Sequence, residues 1–202
     1  MEIFGIPHQA FLGQLLLGLV NGAFYAMLSL GLAVIFGLLD VVNFAHGALY
    51  MLGAFVAWLL LDKLGINYWF ALVLAPLTVG ALGVVIERLF LKHLYKLDPL
   101  YGLLLTFGLA LIIEGIFREL FGSSGQEYPV PALLQGATNL GFMILPIYRT
   151  WVVVVSLAVC LGTWYLIERT RLGAYLRAGT ENASLVQAFG INVPVMVMLT
   201  YG

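Results

Sequence analysis

Long apolar runs separated by short polar breaks fill the 202-residue chain, and the runs are longer than a soluble core uses. A bilayer core about 30 Å thick takes roughly 20 helical residues. Five segments meet or approach that length: Phe11–Leu38, Gly47–Leu61, Tyr68–Leu91, Leu100–Phe121 and Trp151–Ile167. A sixth opens at Val193 and is still apolar at Gly202. The pattern predicts an all-α polytopic membrane protein, a helical bundle of about six spans forming one transmembrane domain over 1–202.

Three polar breaks stand out. The first, Glu168 to Pro194, is polar enough for water yet lies between two apolar runs. In it Thr180 is placed to cap a helix over Glu181–Phe189, with Gly190 as a left-handed stop and Pro194 against continuation. Leu185, Val186 and Phe189 then share one face. The second break, Gly122 to Tyr148, has glycines that end a helix and Pro129 and Pro131 that forbid a new one, leaving a short extended piece at Gly141–Pro146. The third break shortens the second span. Gly47–Leu61 makes only about 22 Å of helix, and about 27 Å if it starts after Asn43. Asp40, Asn43 and His46 then have two readings: a broken helix whose polar groups line a passage, or a surface turn with Asn43 as its cap.

Composition narrows the function. The chain is 62% hydrophobic and 9% charged, with a mean hydropathy of +1.04. A net charge of −1 gives no reason to expect a nucleic-acid partner. The start of the chain lacks the basic n-region of a secretory signal. The single Cys160 cannot form an internal disulfide, no metal-ligand cluster accompanies it, and no phosphate-binding Gly-rich loop followed by Lys occurs. Arg88, Lys92, Lys96, Arg169, Arg171 and Arg177 fall on one side of the membrane by parity, against Lys63, Arg118 and Arg149 on the other. The positive-inside rule then puts the 168–192 loop in the cytoplasm and the N-terminus and the 122–148 loop outside.

Few side chains inside the spans carry chemistry. Glu114 and Arg118 stand four residues apart and are expected to pair. Asn21, Ser29 and Thr106 are mild polar groups on apolar helices, suited either to lining a passage or to bonding a nearby carbonyl. Gly18, Gly22, Gly31 and Gly37 permit close helix approach. Neither a nucleophile elbow around Ser29 nor a third partner for Asp40 and His46 is present, so an intramembrane enzyme is disfavoured and no catalytic residue is assigned. A weak internal repeat aligns Leu28–Ile35 with Leu105–Ile112 on helices of opposite direction, a habit of transporters.

The run Asn21 to Phe55, with Asn43-Phe44-Ala45-His46-Gly47 as its most specific part, strongly resembles the opening of the branched-chain amino acid ABC-transporter permeases. Thr170 to Val193 resembles the cytoplasmic loop of the same family. The resemblance implies the membrane subunit of a binding-protein-dependent importer in the inner membrane of a bacterium or archaeon. It implies about eight spans, so a C-terminal part lies beyond Gly202. The implied partners are two cytosolic ATPases that hold ATP and Mg, a second permease subunit, identical or related, an extracytoplasmic solute-binding protein and the lipid bilayer. No cofactor is expected on this chain. Branched-chain amino acids are the implied cargo, with urea, amides or other small polar solutes as the alternative. Arg171, Gly173, Arg177, Glu181, Leu185, Val186, Phe189 and Gly190 would contact the ATPase, while Asn21, Asp40, Asn43, His46 and Thr106 would line the pathway. The importers' EAAxxxG-like pattern matches at Gly190, but Ser184, Leu185 and Val186 stand where its EAA would be.

Overall fold

The computed structural model describes residues 2–3, 6–39, 43–94 and 97–201. Asp40 and Lys96, both used in the sequence reading, lie outside the described residues. Short strands β1 (Glu2–Ile3) and β2 (Ile6–Pro7) pair antiparallel and lead into α1 (His8–Leu39), followed by α2 (His46–Leu64), α3 (Tyr68–Leu89) and α4 (Pro99–Phe121). Strands β3 (Ala137–Asn139) and β4 (Ile144–Pro146) precede α5 (Ile147–Arg169), α6 (Arg171–Glu181), α7 (Ala183–Ala188) and α8 (Val193–Tyr201). Five of these helices, α1 to α5, are long and apolar enough to cross a membrane. The chain is an all-α polytopic membrane protein, and its spans fall where the apolar runs place them.

Local chemistry explains the boundaries. α2 ends at Gly65, whose φ of 64° is left-handed; its N–H donates to Leu61 O at 3.0 Å, and the N–H of Ile66 donates to Leu60 O at 2.9 Å. Asn67 then starts α3 by accepting the N–H of Phe70 at 3.3 Å, so three residues reverse the chain. α4 starts on Asp98, whose carboxylate accepts the Leu100 N–H at 2.9 Å, with Pro99 in the first turn. At 19 residues, α2 is about 28 Å long and begins at His46. Its first turn has no side-chain cap. The expected Asn43 cap acts one step earlier, accepting the N–H of Ala45 at 3.0 Å.

Two compact units divide the chain. The first takes residues 1–30 and 129–167, hence most of α1, the β3–β4 hairpin and most of α5. Its hairpin pairs Thr138 with Leu145 and turns through Gly141 at φ 81°, where Asn139 Oδ1 accepts the Gly141 N–H at 2.8 Å. Sequence reasoning saw only the second strand of this hairpin.

The second unit takes residues 31–128 and 168–202. Its core joins Ile35 of α1, Leu49 of α2, Ile86 of α3, Leu91 and Tyr201 of α8, with Leu105, Leu109 and Ile113 of α4 against it. Many large apolar side chains on the spans remain uncovered, Phe70 (66%) and Leu104 (63%) among them. Such surface suits lipid rather than water. Where α2 gives way to α3, Tyr68 packs near Trp69 and Tyr128, and burial together with Tyr68 holds the Tyr128 hydroxyl above its ordinary value.

Two expectations need correction. The helix expected over Glu181–Phe189 starts two residues later, at Ala183, because Asn182 (φ −152°, ψ 88°) leaves helical geometry, ends α6 and caps α7 by accepting the Leu185 N–H at 3.0 Å. Thr180 therefore lies inside α6, whose cap is Thr170. Glu114 and Arg118 do not pair within 4.0 Å; both are exposed, and an exposed pair of this spacing gains only about 0.3–0.5 kcal/mol, too little to hold two long side chains together.

Candidate functional site

The turn between α1 and α2 is the most polar buried place in the second unit. Asn43 is 2% exposed and Thr106 is fully buried. Thr106 Oγ1 accepts the backbone N–H of Phe44 at 3.2 Å and donates to Leu103 O at 3.1 Å. Asn43 accepts the Ala45 N–H, which fixes its amide orientation, since the reversed amide would set two donors face to face. His46 lies half-buried over Gly31 of α1, where an added Cβ would stand 2.6 Å from His46 Cε1 and 2.9 Å from Nε2. Only glycine leaves room for that ring. The two segments of the internal repeat thus meet the same turn, one through Gly31 and the other through Thr106.

The depth of the turn follows from α4. Thr106 stands two helical turns past Pro99, so the turn lies about 10 Å along α4 from its start. α2 and α4 run parallel in one register. The Phe44 and Phe107 rings meet edge to face at 6.2 Å, and further along Phe55 meets Phe117 at 4.7 Å and Trp58 meets Phe121 at 5.6 Å. Of the two readings of the second span, this geometry favours a turn sunk within the helical body.

The polar stretch before α8 has a different construction. Gly173, Leu176, Val186 and Val193 are buried, while Leu172, Tyr175, Leu185 and Phe189 are exposed. Gly179 gives α8 close access: a Cβ there would sit 3.7 Å from Val193. Arg177 pairs with Glu168 at 3.6 Å, and Arg171 and Glu181 are exposed. Gly190 closes α7 at φ 82°, with its N–H on Gln187 O at 2.9 Å, as expected for a left-handed stop.

Residues 14–202 match the family described as branched-chain amino acid transport system, permease component. The chain belongs to this permease family. Among curated relatives, it is 27% identical over 204 residues to the high-affinity branched-chain amino acid transport system permease protein BraD of Pseudomonas aeruginosa. It is 26% identical over 205 residues to the corresponding protein LivH of Escherichia coli K12. These matches cover 95% of this chain and 66% of each relative, just under two thirds. A probable branched-chain amino acid transport permease protein LivH of Methanocaldococcus jannaschii is 32% identical over 176 residues, covering 83% of this chain and 54% of that protein. No solved structure matches.

The permease family match includes both regions. Of the residues expected to line a pathway, the structure brings Asn43, His46 and Thr106 together; Asn21 is exposed on the part of α1 in the first unit, and Asp40 lies outside the described residues. Of the expected docking face, Leu185 (55%) and Phe189 (77%) are exposed, but Val186 is 4% exposed. Leu185 and Phe189 stand four residues apart on the open side of α7, and Val186, about 100° round from Leu185, faces inward. Close approach at the α1 glycines occurs at Gly31; an added Cβ on Gly18, Gly22 or Gly37 meets nothing within 4 Å.

Sequence reasoning passed over Glu87, 4% exposed on α3 next to Ile86, which shares a core with Tyr201 of α8. Its neighbour Arg88 made it look like part of a solvated charged end. It also passed over Ser156, buried on α5 with no hydrogen-bond partner among the described residues. An i−4 carbonyl partner was the ordinary expectation there.

Proposed function

We propose that the chain is the permease subunit of an ABC importer that carries branched-chain amino acids across the inner membrane. Cytosolic ATPases hold ATP and Mg and drive it, a second permease subunit completes the passage, and an extracytoplasmic binding protein delivers the solute. The chain itself performs no covalent chemistry. The domain organisation in this reading is one permease domain with an external loop at 122–148 and a cytoplasmic coupling loop at 168–192.

The observation that carries the reading is the α6–α7 pair. It folds inward on Gly173, Leu176 and Val186 and outward on Leu185 and Phe189, and it sits between two apolar helices. An uncovered apolar knob on a basic, water-compatible base suits a groove on a soluble partner. Arg171, Arg177, Glu181, Leu185, Phe189 and Gly190 form that contact, with Gly173 and Val186 supporting it from inside. The basic residues of this loop and of the α3–α4 connection support a cytoplasmic position and an outside N-terminus. ATP binding closes the ATPase pair, the motion reaches α6 and α7, and α8 and α3 carry it into the membrane. Within the membrane, Asn43, His46 and Thr106, with Asn21 and Asp40, belong to the passage.

Reconstitution of the full-length permease with its ATPases and binding protein tests the reading. ATP-dependent accumulation of radiolabelled leucine in liposomes is expected. Passive flux without ATPase would instead identify a channel, and accumulation of urea or amides in preference to leucine would move the chain to the alternative cargo.

A further inference from the structure

We propose that the start of α2 is a carboxylate-binding station for the solute in transit, built from the side-chain Nδ2 of Asn43 and the backbone N–H groups of Gly47 and Ala48. The proposal deepens the importer reading and rests on it for the identity of the solute.

The argument is one of hydrogen-bonding capacity. At the turn, the described side-chain acceptors Asn43 Oδ1 and Thr106 Oγ1 are already engaged. Asn43 Oδ1 takes the Ala45 N–H, Thr106 Oγ1 takes the Phe44 N–H, and Asn43 O takes the His46 N–H at 3.3 Å. Donors are left over. Asn43 Nδ2 is buried with no hydrogen-bond partner among the described residues. Gly47 and Ala48 occupy the first turn of a 19-residue helix, where N–H groups have no intrahelical acceptor and no side chain caps them. The positive end of the helix dipole points the same way. A buried donor without an acceptor is unfavourable enough to be rare in native structures, and here it stands four residues before Gly47.

The chemistry of the occupant follows. It must accept several hydrogen bonds from neutral donors and carry negative charge at that end. The segment Asn43–Ala48 contains no Lys or Arg, so the hold is dipolar rather than ionic. That suits a zwitterion's carboxylate, which must be gripped and then released, better than a phosphate, which arginine pairs would retain. The amide is closed off from solvent in this conformation. The Asn43 end of the station is therefore closed here, while Gly47 at its other end is exposed, and the amide opens when the turn parts from Gly31.

Asn43→Asp keeps the Oδ1 acceptor for Ala45 and replaces the free donor with an oxygen. The test uses the purified full-length permease and two probes, leucine and leucinamide, which lacks the carboxylate. Leucine is expected to raise the melting temperature of the wild-type protein by several degrees and leucinamide to leave it unchanged. In Asn43→Asp the leucine shift disappears while the melting temperature without ligand stays within a few degrees of wild type. In the reconstituted importer the same variant loses most leucine uptake. Equal shifts from both probes, or a leucine shift retained in Asn43→Asp, overturns the station. Gly31→Ala is the second variant: it crowds the His46 ring without changing Asn43, Gly47 or Ala48, so it keeps the leucine shift on a lower baseline, and losing the shift there as well would mark Asn43 as merely structural. Leucine binding without ATP-driven uptake in the wild type would leave the station standing and overturn the importer reading instead.

Discussion

The α1–α2 turn and the α6–α7 segment are both polar interruptions between membrane helices, and they solve opposite problems. The turn hides its polar groups: Thr106 is completely covered, Asn43 nearly so, and two backbone N–H groups are held by side-chain oxygens. The α6–α7 segment displays apolar groups on a charged base, with Phe189 and Leu185 uncovered. Backbone sunk among apolar helices must find its hydrogen bonds within the protein, whereas a segment in water can leave them to solvent and keep its apolar side for a partner. A substitution that breaks a hydrogen bond of the turn or crowds it should therefore be felt in folding, and one in α6–α7 in communication.

The contrast is sharpest at two glycines. Gly190→Arg forces a branched chain into a left-handed backbone position at the end of α7. It is expected to abolish ATP-driven uptake while membrane insertion, read by fractionation, is unchanged; normal uptake would remove α6–α7 from the coupling route. Gly31→Ala drives a methyl into the His46 ring. The overpacking should cost about 2–3 kcal/mol, read as a lower melting temperature in detergent, and an unchanged melting temperature would mean that the ring moves aside freely.

Smaller effects refine the same contrast. Thr106→Val leaves the Phe44 N–H without its acceptor, at a cost of about 1–2 kcal/mol in thermal unfolding. Asn182→Ala removes the cap of α7 and should cost about 1 kcal/mol locally. Hydrogen exchange would show faster exchange at Leu185 and Val186 with little change at Phe44. Equal disturbance of both regions by either variant would contradict the division drawn between them.

The spans were legible because a membrane helix is written in the plainest code available, some twenty apolar residues in a row, and α3 and α4 start within a residue of the sequence expectation. Gly190 was legible for a local reason, since a glycine after an amphipathic run marks a left-handed stop. The α6–α7 break was not, because the Asn182 and Thr180 side chains are both competent caps and only the tertiary setting chose Asn182. Val186 was assigned to the docking face because it stands three residues before Phe189, a spacing that leaves open which edge of the apolar stripe is covered. The partnership of Gly31 with His46 is 15 residues apart in sequence and belongs to helix crossing, which periodicity does not encode. Glu87 was missed because nothing in its local pattern on α3 shows that it is buried.

The parallel register of α2 and α4 has a mechanical consequence. Phe44 is fastened to Thr106 and Phe107 near one end, and Phe55 and Trp58 are clamped to Phe117 and Phe121 near the other. Two rods pinned at both ends behave as one beam. Spin labels placed on the α2 and α4 surfaces would keep a constant separation through a transport cycle, and strain applied at one end of the pair would arrive undiminished at the other.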